Sequence, residues 1–373
     1  MLNGVFIYTM LKRFLYFGLI CLLCASCSNE DDAGYVTIEP VSEVIVDLLQ
    51  VPYPTLSEYH FFEDTLSELA PTFGVLPYEP ISSLFSNYAH KSRFIWLPSG
   101  TIGTYNGDAN NIELPVGSVI IKNFFYDNVL PDYTRVLIET RLMIRKEEGW
   151  TFAEYFWNEQ QTEAFLDTQG DGGFKYVTWI EDGQQREINY RMPSGSECFT
   201  CHKSNTTNEP IGIKPQSLNS TYAFADGLQN QLQKWIDVGY LEDNIPTNIN
   251  TVVDYRDTSQ DLETRVRSYV DINCASCHRD EGHCNYRPMR FAFSENNLLE
   301  NLGVCVTPDQ MLSNLSLDQK LIKPGDPENS VIYYRLNVTA EEERMPLLGR
   351  SIIHNDGVDL LRDWINSLDT TCD

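Results

Sequence analysis

The sequence predicts an α+β protein with a β-rich N-terminal domain, a small helical unit and an all-α C-terminal domain. Before residue 192, apolar and polar residues alternate with the period of two that is typical of strands. Beyond this point, apolar residues recur at helical spacing, most clearly at 262–270 and 358–368. A polar stretch that contains a proline, at 246–261, forms a linker between the last two parts. The length of 373 residues is enough for two or three domains.

Residues 1–26 are predicted to be an export signal. A Lys-Arg pair precedes a short apolar run at 14–23, which is too short for an ordinary membrane span. Cys27 follows, in a context that resembles the lipidated cysteine of bacterial lipoproteins, and residues 27–34 then form an acidic tether. We therefore expect an exported protein on the periplasmic or cell-surface side, anchored to a membrane through the lipid at Cys27. A plain secretory signal and an uncleaved anchor are the alternatives.

Residues 35–192 are predicted to form the β-rich domain. Alternating apolar residues predict strands at 117–125 and 135–144, and a Glu-Asp-Gly turn predicts a hairpin at 174–190. One helix is expected to interrupt the strands, with Asn158 as its N-cap. The dense aromatic residues favour a packed core, and contact with a bound group is the alternative interpretation.

Two pentapeptides, Cys-Phe-Thr-Cys-His at 198–202 and Cys-Ala-Ser-Cys-His at 274–278, have the spacing of c-type haem attachment sites. Two thiols separated by two residues can add to the vinyl groups at one edge of a porphyrin, and the next histidine can then bind the iron. The alternatives are a zinc site, which needs four ligands from paired motifs, and a redox dithiol, which needs no histidine. The sequence therefore predicts two covalently bound haem c groups. Their attachment residues are Cys198, Cys201, Cys274 and Cys277, and their proximal iron ligands are His202 and His278.

Both motifs lie in predicted helical surroundings. The first belongs to a small haem unit at 193–245, which includes a helix around Trp235. The second ends a helix at Cys274 and belongs to the domain at 262–373. Further along, Asp326 is a good N-cap, and a loop and a final helix follow. Helices on both sides of the haem, with a methionine loop between them, are typical of class I cytochromes c.

Met345 is the predicted sixth ligand of the second iron. A thioether paired with histidine favours ferrous iron and raises the reduction potential. Met345 lies in a proline-bearing loop directly before the last helix, as expected for such a ligand. Met289 and Met311 are competitors, although a lone methionine usually packs in a core.

The sequence does not identify the sixth ligand of the first iron. No methionine or histidine occurs between His202 and the second motif. Met192 and His90 are the candidates, His60 is a weaker one, and a vacant position is the remaining possibility. An open iron could bind peroxide, oxygen or another small ligand, whereas a closed iron would mainly transfer electrons.

The cysteines fit an oxidising compartment. The chain has 10 cysteines, of which four are assigned to haem and Cys27 to lipid. Spare thiols outside the cytoplasm tend to form disulfides. We expect Cys284 and Cys305 to pair, which leaves Cys372 as the odd cysteine at a mobile terminus.

The formal net charge of -26 limits the class of partner. Binding of nucleic acid needs clustered Lys and Arg, so nucleic acid is not expected as a partner. The acidic surface favours redox partner proteins with a basic or polar docking surface, with a salt-dependent association. Simple solubility of an exported protein would also explain this charge.

The chain also resembles a protein family. The residues that carry the resemblance are Pro77-Tyr78, Leu84-Phe85, Tyr88-Ala89-His90-Lys91-Ser92-Arg93-Phe94, Glu139-Thr140-Arg141-Leu142, Tyr155-Phe156-Trp157-Asn158-Glu159-Gln160-Gln161 and both haem motifs. In these segments the chain is similar to a family of exported dihaem c-type cytochromes, bacterial lipoproteins with a β-rich N-terminal domain and a C-terminal class I cytochrome c-like domain. The resemblance implies haem binding and electron transfer, and it names no substrate.

The sequence thus predicts a lipid-anchored dihaem c-type cytochrome that transfers electrons outside the cytoplasm. It favours an electron carrier over an enzyme. The main alternative is a dihaem peroxidase or oxidase, with the first haem as an open catalytic site. No general acid–base group is evident beside either motif. A third hypothesis is a binding module in which the β-rich region holds a sugar or a partner and the haem is accessory.

Overall fold

The computed structural model describes residues 41–372. The predicted signal at 1–26, the lipidation residue Cys27, the tether at 27–34 and the start of the β-rich domain lie outside the described residues. Residues 42–373 form one compact unit. Within the described part of the chain, no helix is both long enough and apolar enough to cross a membrane.

An eight-stranded antiparallel sheet dominates the structure. Its strands are β1 Leu76–Pro77, β2 His90–Trp96, β3 Val119–Val129, β4 Thr134–Lys146, β5 Gly149–Trp157, β6 Ala164–Leu166, β7 Gly173–Glu181 and β8 Gln184–Met192. The order is β1-β2-β3-β4-β5-β6, and β7 pairs with β8 and with the far end of β3. The strands predicted at 117–125 and 135–144 and the hairpin at 174–190 are therefore present.

Both faces of the sheet are covered, which explains the long apolar runs in its central strands. On β3, Val119 and Ile121 face a core that includes Leu56 and Tyr59 from the preceding segment. Ile120 points to the opposite face, into a second core. Neighbouring residues of a strand point to opposite faces, so an uninterrupted apolar run is expected where both faces are buried.

The helix predicted to begin at Asn158 is wrong. The Oδ1 atom of Asn158 accepts a hydrogen bond from the backbone N–H of Thr162 at 2.9 Å, but the chain forms a turn there, with Gln161 at a φ of 56°. Strand β6 follows immediately and pairs with β5. A capping side chain stabilises a turn as readily as a helix. Here the pairing of β6 with β5 favours the turn over the helix.

The unit at 193–245, predicted to be helical, is mixed. It contains α1 Gly195–His202, α2 Pro215–Leu218, α3 Gln231–Asp237 and two short hairpins, β9 Lys203–Ser204 with β10 Thr207–Asn208 and β11 Thr221–Phe224 with β12 Gly227–Asn230. The apolar residues of this segment, including Trp235 and Leu218, pack on the sheet face that carries Ile120. This segment therefore covers the sheet and is not an independent helical unit.

The prediction of an all-α cytochrome c-like domain at 262–373 is also wrong. The described part of this region has three α-helices, α4 Leu262–Cys274, α5 Val331–Leu336 and α6 Asn355–Ser367, and a short 3-10 turn, Pro327–Asn329. Between Ala275 and Asp326 the chain forms turns and isolated bridges without a helix or a strand of its own. The fold as a whole is thus dominated by the antiparallel sheet.

The physical reason is that this long loop contributes to the core without regular structure. Phe291, Val304 and Ile322 are buried against α4 and α6 in one apolar cluster. The buried side chain of Asn296 holds the loop, because its amide donates to the backbone carbonyls of Arg267 and Phe291 at 3.0 and 2.9 Å. Polar side chains that satisfy backbone groups replace the helix that the layout of a cytochrome c would require.

The disulfide prediction is wrong as well. Cys305 pairs with Cys372, with their Cα atoms 5.1 Å apart, and Cys284 is a free, buried cysteine. The segment after α6 returns to the loop that carries Cys305, so the terminus is tied down. Cys284 instead lies beside the second motif, where its backbone N–H donates to the carbonyl of Cys277 at 2.9 Å.

Candidate haem-binding sites

The second motif forms a tight turn at the end of α4. The backbone N–H groups of Cys277 and His278 both donate to the carbonyl of Cys274, at 3.1 and 3.0 Å. This turn brings the two cysteines and the histidine to the wall of one cavity of about 130 Å³. The motif predicted from the sequence is therefore also a cluster in space.

Met345 lines the same cavity as His278. Hydrogen bonds hold both backbone groups of Met345. Its N–H donates to the carbonyl of Arg335 at 2.9 Å, and its carbonyl accepts a hydrogen bond from Nε of Arg350 at 2.8 Å. Met289 lines the cavity too, whereas Met311 does not and is 44% exposed. The geometry thus keeps Met345 and Met289 as candidate ligands.

The environment of His278 suits an iron ligand. Burial lowers the pKa of His278 to about 4, with a further contribution from Arg287 and Arg290, so the imidazole is neutral at physiological pH. Neutral imidazole is the form that binds a metal. Its buried Nδ1 atom has no hydrogen-bond partner among the described residues. An unpartnered buried nitrogen is costly, and a bound group that ligates or reorients the ring would remove this cost.

The first motif occupies α1, which has a capping box at its start. Ser194 and Glu197 form the box, and Arg191 holds the Glu197 carboxylate at 2.7 Å. His202 ends the helix, and its Nδ1 lies 2.7 Å from the backbone carbonyl of Glu209. This hydrogen bond orients the ring and leaves Nε2 free, which is the usual arrangement of a metal-binding histidine. Burial lowers the pKa of His202 to about 4.

A larger cavity of about 440 Å³ separates this motif from the sheet. We refer to it as the first cavity, and to the cavity beside the second motif as the second cavity. Cys198, Cys201 and His202 form one side of the cavity. Strands β2 to β5 form the other side, and the ring of Phe152 on β5 packs edge-on against His202 with 5.1 Å between the centroids. A flat apolar group attached at the motif would therefore lie against the sheet.

The structure does not bring the predicted sixth ligands of the first site to this cavity. Met192 is buried in a separate core cluster, and His90 is exposed and stacks on Phe125 with 5.7 Å between the ring centroids. Neither lines the cavity wall, and nor does His60. Met143 on β4 does line it. No sequence pattern singles out Met143, because it occupies an ordinary apolar position of an alternating strand.

The two motifs meet in space. The Sγ atom of Cys277 donates a hydrogen bond of 3.5 Å to the carbonyl of Thr200, the residue directly before Cys201. The neighbouring Cys277 lowers the pKa of Cys201, and Cys201 raises the pKa of Cys277. Both cysteines line both cavities, so the two cavities share this wall.

Further polar contacts join the loops that follow the two motifs. Arg279, directly after His278, forms an ion pair of 3.0 Å with Glu209, whose carbonyl orients His202. The backbone N–H of Asn205 donates to the carbonyl of Glu281 at 2.8 Å. The relative position of His202 and His278 is thus fixed by contacts between the loops that follow them.

The remaining thiols of the motifs, Cys198 and Cys274, are half-buried and free. Burial raises the pKa of Cys198 to about 11 and that of Cys274 to about 12, so both are protonated at neutral pH. Within residues 41–372, no group of three or more His, Cys, Asp and Glu side chains is arranged to hold a metal ion. A tetrahedral zinc site built from the paired motifs would need four such ligands together.

Comparisons of the chain with protein-family models, with curated proteins and with solved structures found no match. The interpretation of these sites therefore depends on the residues and their geometry. At each motif, two thiols and one neutral imidazole line a cavity with largely apolar walls. This set of donors is the one that covalent attachment of a haem requires.

Proposed function

We propose that the protein is a dihaem c-type cytochrome that passes electrons between partners outside the cytoplasm. The contact between Sγ of Cys277 and the carbonyl of Thr200, with Cys201 and Cys277 on the wall that the two cavities share, is the observation that carries the proposal. Two groups attached at these motifs would lie close to each other. Electron tunnelling weakens steeply with distance, so such a pair suits an electron relay.

The residues of the second site have distinct tasks. Cys274 and Cys277 would attach the group, and His278 and Met345 would ligate its iron, with Met289 as the competitor of Met345. A haem iron ligated by histidine and methionine supplies one-electron chemistry at a raised potential. The hydrogen bonds that fix the backbone of Met345 hold its thioether at the cavity.

In the first site, Cys198 and Cys201 attach the group and His202 binds the iron. The carbonyl of Glu209 keeps the His202 ring in one orientation and fixes its tautomer, with the proton on Nδ1. Phe152 packs against this ring, and the sheet shields the cavity from water. These contacts keep the imidazole in place while the charge of the iron changes.

A dihaem oxidoreductase with an open first iron is the second candidate. It is favoured by one observation: Met192 and His90, the expected sixth ligands, lie away from a cavity of about 440 Å³. Met143 is the competing internal ligand because it lines that cavity. A small molecule such as peroxide would have to reach the iron through this space.

The location and the partners belong to the same proposal. Export and a lipid at Cys27 would anchor the protein to a membrane on its periplasmic or outer side. The formal net charge of -26 favours a redox partner with a basic or polar surface, and their association should weaken with salt.

The test is to produce the chain with a c-type haem maturation system and to weigh the denatured protein. The expected mass corresponds to two covalent haems per chain, and the double variants C198S/C201S and C274S/C277S should each lose one of them. Cys284→Ser is the matched control, since Cys284 is a buried free thiol on the wall of the second cavity but outside both motifs. It should retain both haems. A wild-type chain without covalent haem would overturn the proposal.

Carbon monoxide then separates the two candidates. An absorbance spectrum of the reduced protein that does not change with carbon monoxide indicates two closed irons and a carrier. If carbon monoxide changes the absorbance of about half of the haem groups, the first iron is open, which favours the oxidoreductase. Met345→Ala identifies the second haem in this experiment, because it opens that iron by design.

A further inference from the structure

The sheet wall of the first cavity carries an ordered row of charged residues. Strand pairing places Arg93 on β2 opposite Lys122 on β3, Lys122 opposite Arg141 on β4, and Arg141 opposite Glu154 on β5. Residues directly opposite each other in a sheet share a face, so the four form one line across four strands. All four line the cavity. We refer to these four residues as the charged row.

Two of the three cations of the charged row have no carboxylate partner among the described residues. Arg141 is paired with Glu139 at 2.5 Å and lies 3.1 Å from Glu154. Arg93 and Lys122 have no ion-pair partner among the residues that the structure describes, although Arg93 is only 5% exposed. The row therefore has an excess of positive charge inside a protein whose formal net charge is -26.

This excess is costly in the absence of a bound anion. Like charges directly opposite each other in a sheet repel, and an unpaired buried charge is strongly destabilising. Burial, together with the neighbouring cations, lowers the pKa of Lys122 well below its usual value, and burial also lowers the pKa of Arg93. A ligand that brings negative charge to Arg93 and Lys122 would remove this strain.

The next row on the same wall defines the rest of the ligand. This row lies on the same face, two residues along each strand from the charged row. It consists of Ile120 on β3, Met143 on β4 and Phe152 on β5, which are opposite each other. They line the cavity as an apolar strip beside the charged row. A ligand that fits both rows has a broad apolar body and negative groups at one edge.

We propose that Arg93, Lys122 and Arg141 form a carboxylate-binding site for the propionates of the haem attached at the first motif. The inference depends on the proposed function, because it assigns residues to that same haem. A porphyrin with two propionates has the apolar body and the paired negative charge that the two rows require. The charged row then positions the first haem against the sheet and raises its reduction potential, because nearby positive charge favours the ferrous state.

The test compares holoprotein variants that lack one cation. Arg93→Gln and Lys122→Gln remove the unpaired charges, and Lys122→Arg preserves the charge. Arg145→Gln is the matched control, since Arg145 lies on the same strand and face as Arg141 but does not line the cavity. Only chains shown by mass to carry both haems are measured. The readouts are the propionate bending band in the resonance Raman spectrum and the reduction potential of the first haem.

The expected result is a shifted propionate band and a lower potential in Arg93→Gln and Lys122→Gln, with Lys122→Arg close to wild type and no change in Arg145→Gln. Identical spectra and potentials in all variants would overturn the proposal. A titration with sulfate tests a free oxyanion as the occupant. A saturable effect of sulfate on the wild type that is lost in Lys122→Gln would assign the site to an oxyanion from solution and overturn the propionate assignment.

These outcomes are distinct from a failure of the proposed function. If the wild-type chain carries no covalent haem, the dihaem proposal fails before any variant is compared. If it carries two haems and the charged row has no effect on either readout, the dihaem proposal stands and the assignment of the row fails.

Discussion

The Sγ atom of Cys277 donates a hydrogen bond of 3.5 Å to the carbonyl of Thr200, the residue that precedes Cys201 in the other motif. Two segments far apart in the chain thus meet where the thiol of one motif reaches the backbone of the other.

In haem-free protein, mild oxidation should link Cys201 to Cys277. The neighbouring Cys277 lowers the pKa of Cys201, and the thiolate is the reactive form of a cysteine. Treatment with diamide followed by non-reducing peptide mapping should identify a peptide that joins the two motifs. Cys201→Ser should abolish this product, and Cys284→Ser should leave it intact. If only the disulfides Cys198–Cys201 and Cys274–Cys277 formed, the two motifs would not be in contact in solution.

Replacement of Met345 by Ala should lower the reduction potential of the second haem and open its iron. A thioether stabilises ferrous iron, so its loss favours the ferric state. Potentiometric titration and the near-infrared band of methionine-ligated ferric haem would measure this change. Met311→Ala is the control, because Met311 is 44% exposed and does not line the cavity. If Met289→Ala instead lowered the reduction potential and removed the near-infrared band, Met289 would be the ligand.

The sequence predicted the parts of the sites that depend on local spacing. A Cys-X-X-Cys-His turn needs only five consecutive residues, and the structure brings both motifs to cavity walls as expected. Met345, in the loop before the last helix, lies on the same cavity wall as His278, and its role as an iron ligand stays a prediction. The strands at 117–125 and 135–144 were found because alternation is local too.

The rest depends on pairing between distant segments. Arg93, Lys122 and Arg141 each look like ordinary solvent-facing positions of a strand, and only the register of β2, β3 and β4 places them in one row. The all-α domain was predicted from three helical segments. The loop between them buries Phe291 and Val304 through contacts that no periodicity reveals.

Cys372→Ser should reduce the free energy of unfolding by about 2–4 kcal/mol. The disulfide with Cys305 closes a loop with a sequence separation of 67, and its removal restores the conformational entropy of that loop in the unfolded chain. Chemical denaturation of the purified protein would measure the loss. Cys284→Ser, which removes no disulfide, should have a smaller effect. Equal stability of Cys372→Ser and wild type would indicate that the Cys305–Cys372 bond does not form.

The carboxyl group of Glu154 should make the protein less stable as the pH rises. Burial, opposed by Arg141 and assisted by Glu139, raises the pKa of Glu154 to about 8, above the unfolded value near 4.5. The folded state therefore binds the proton more tightly, and this contribution is fully present below the unfolded pKa and is lost as the pH rises through about 8. Each tenfold difference in proton affinity corresponds to about 1.4 kcal/mol.

Glu154→Gln removes this titration while preserving the shape of the side chain. The variant should therefore lose less stability than wild type between about pH 5 and 8, as measured by urea denaturation at a series of pH values. Glu148→Gln, an exposed carboxyl in the turn between β4 and β5, is the control and should follow the wild-type curve. Carboxylates bound to the charged row would raise the pKa of Glu154 further, so the difference between variant and wild type should be larger in holoprotein than in haem-free protein. Parallel pH profiles for Glu154→Gln and wild type would show that Glu154 is already ionised in the folded protein.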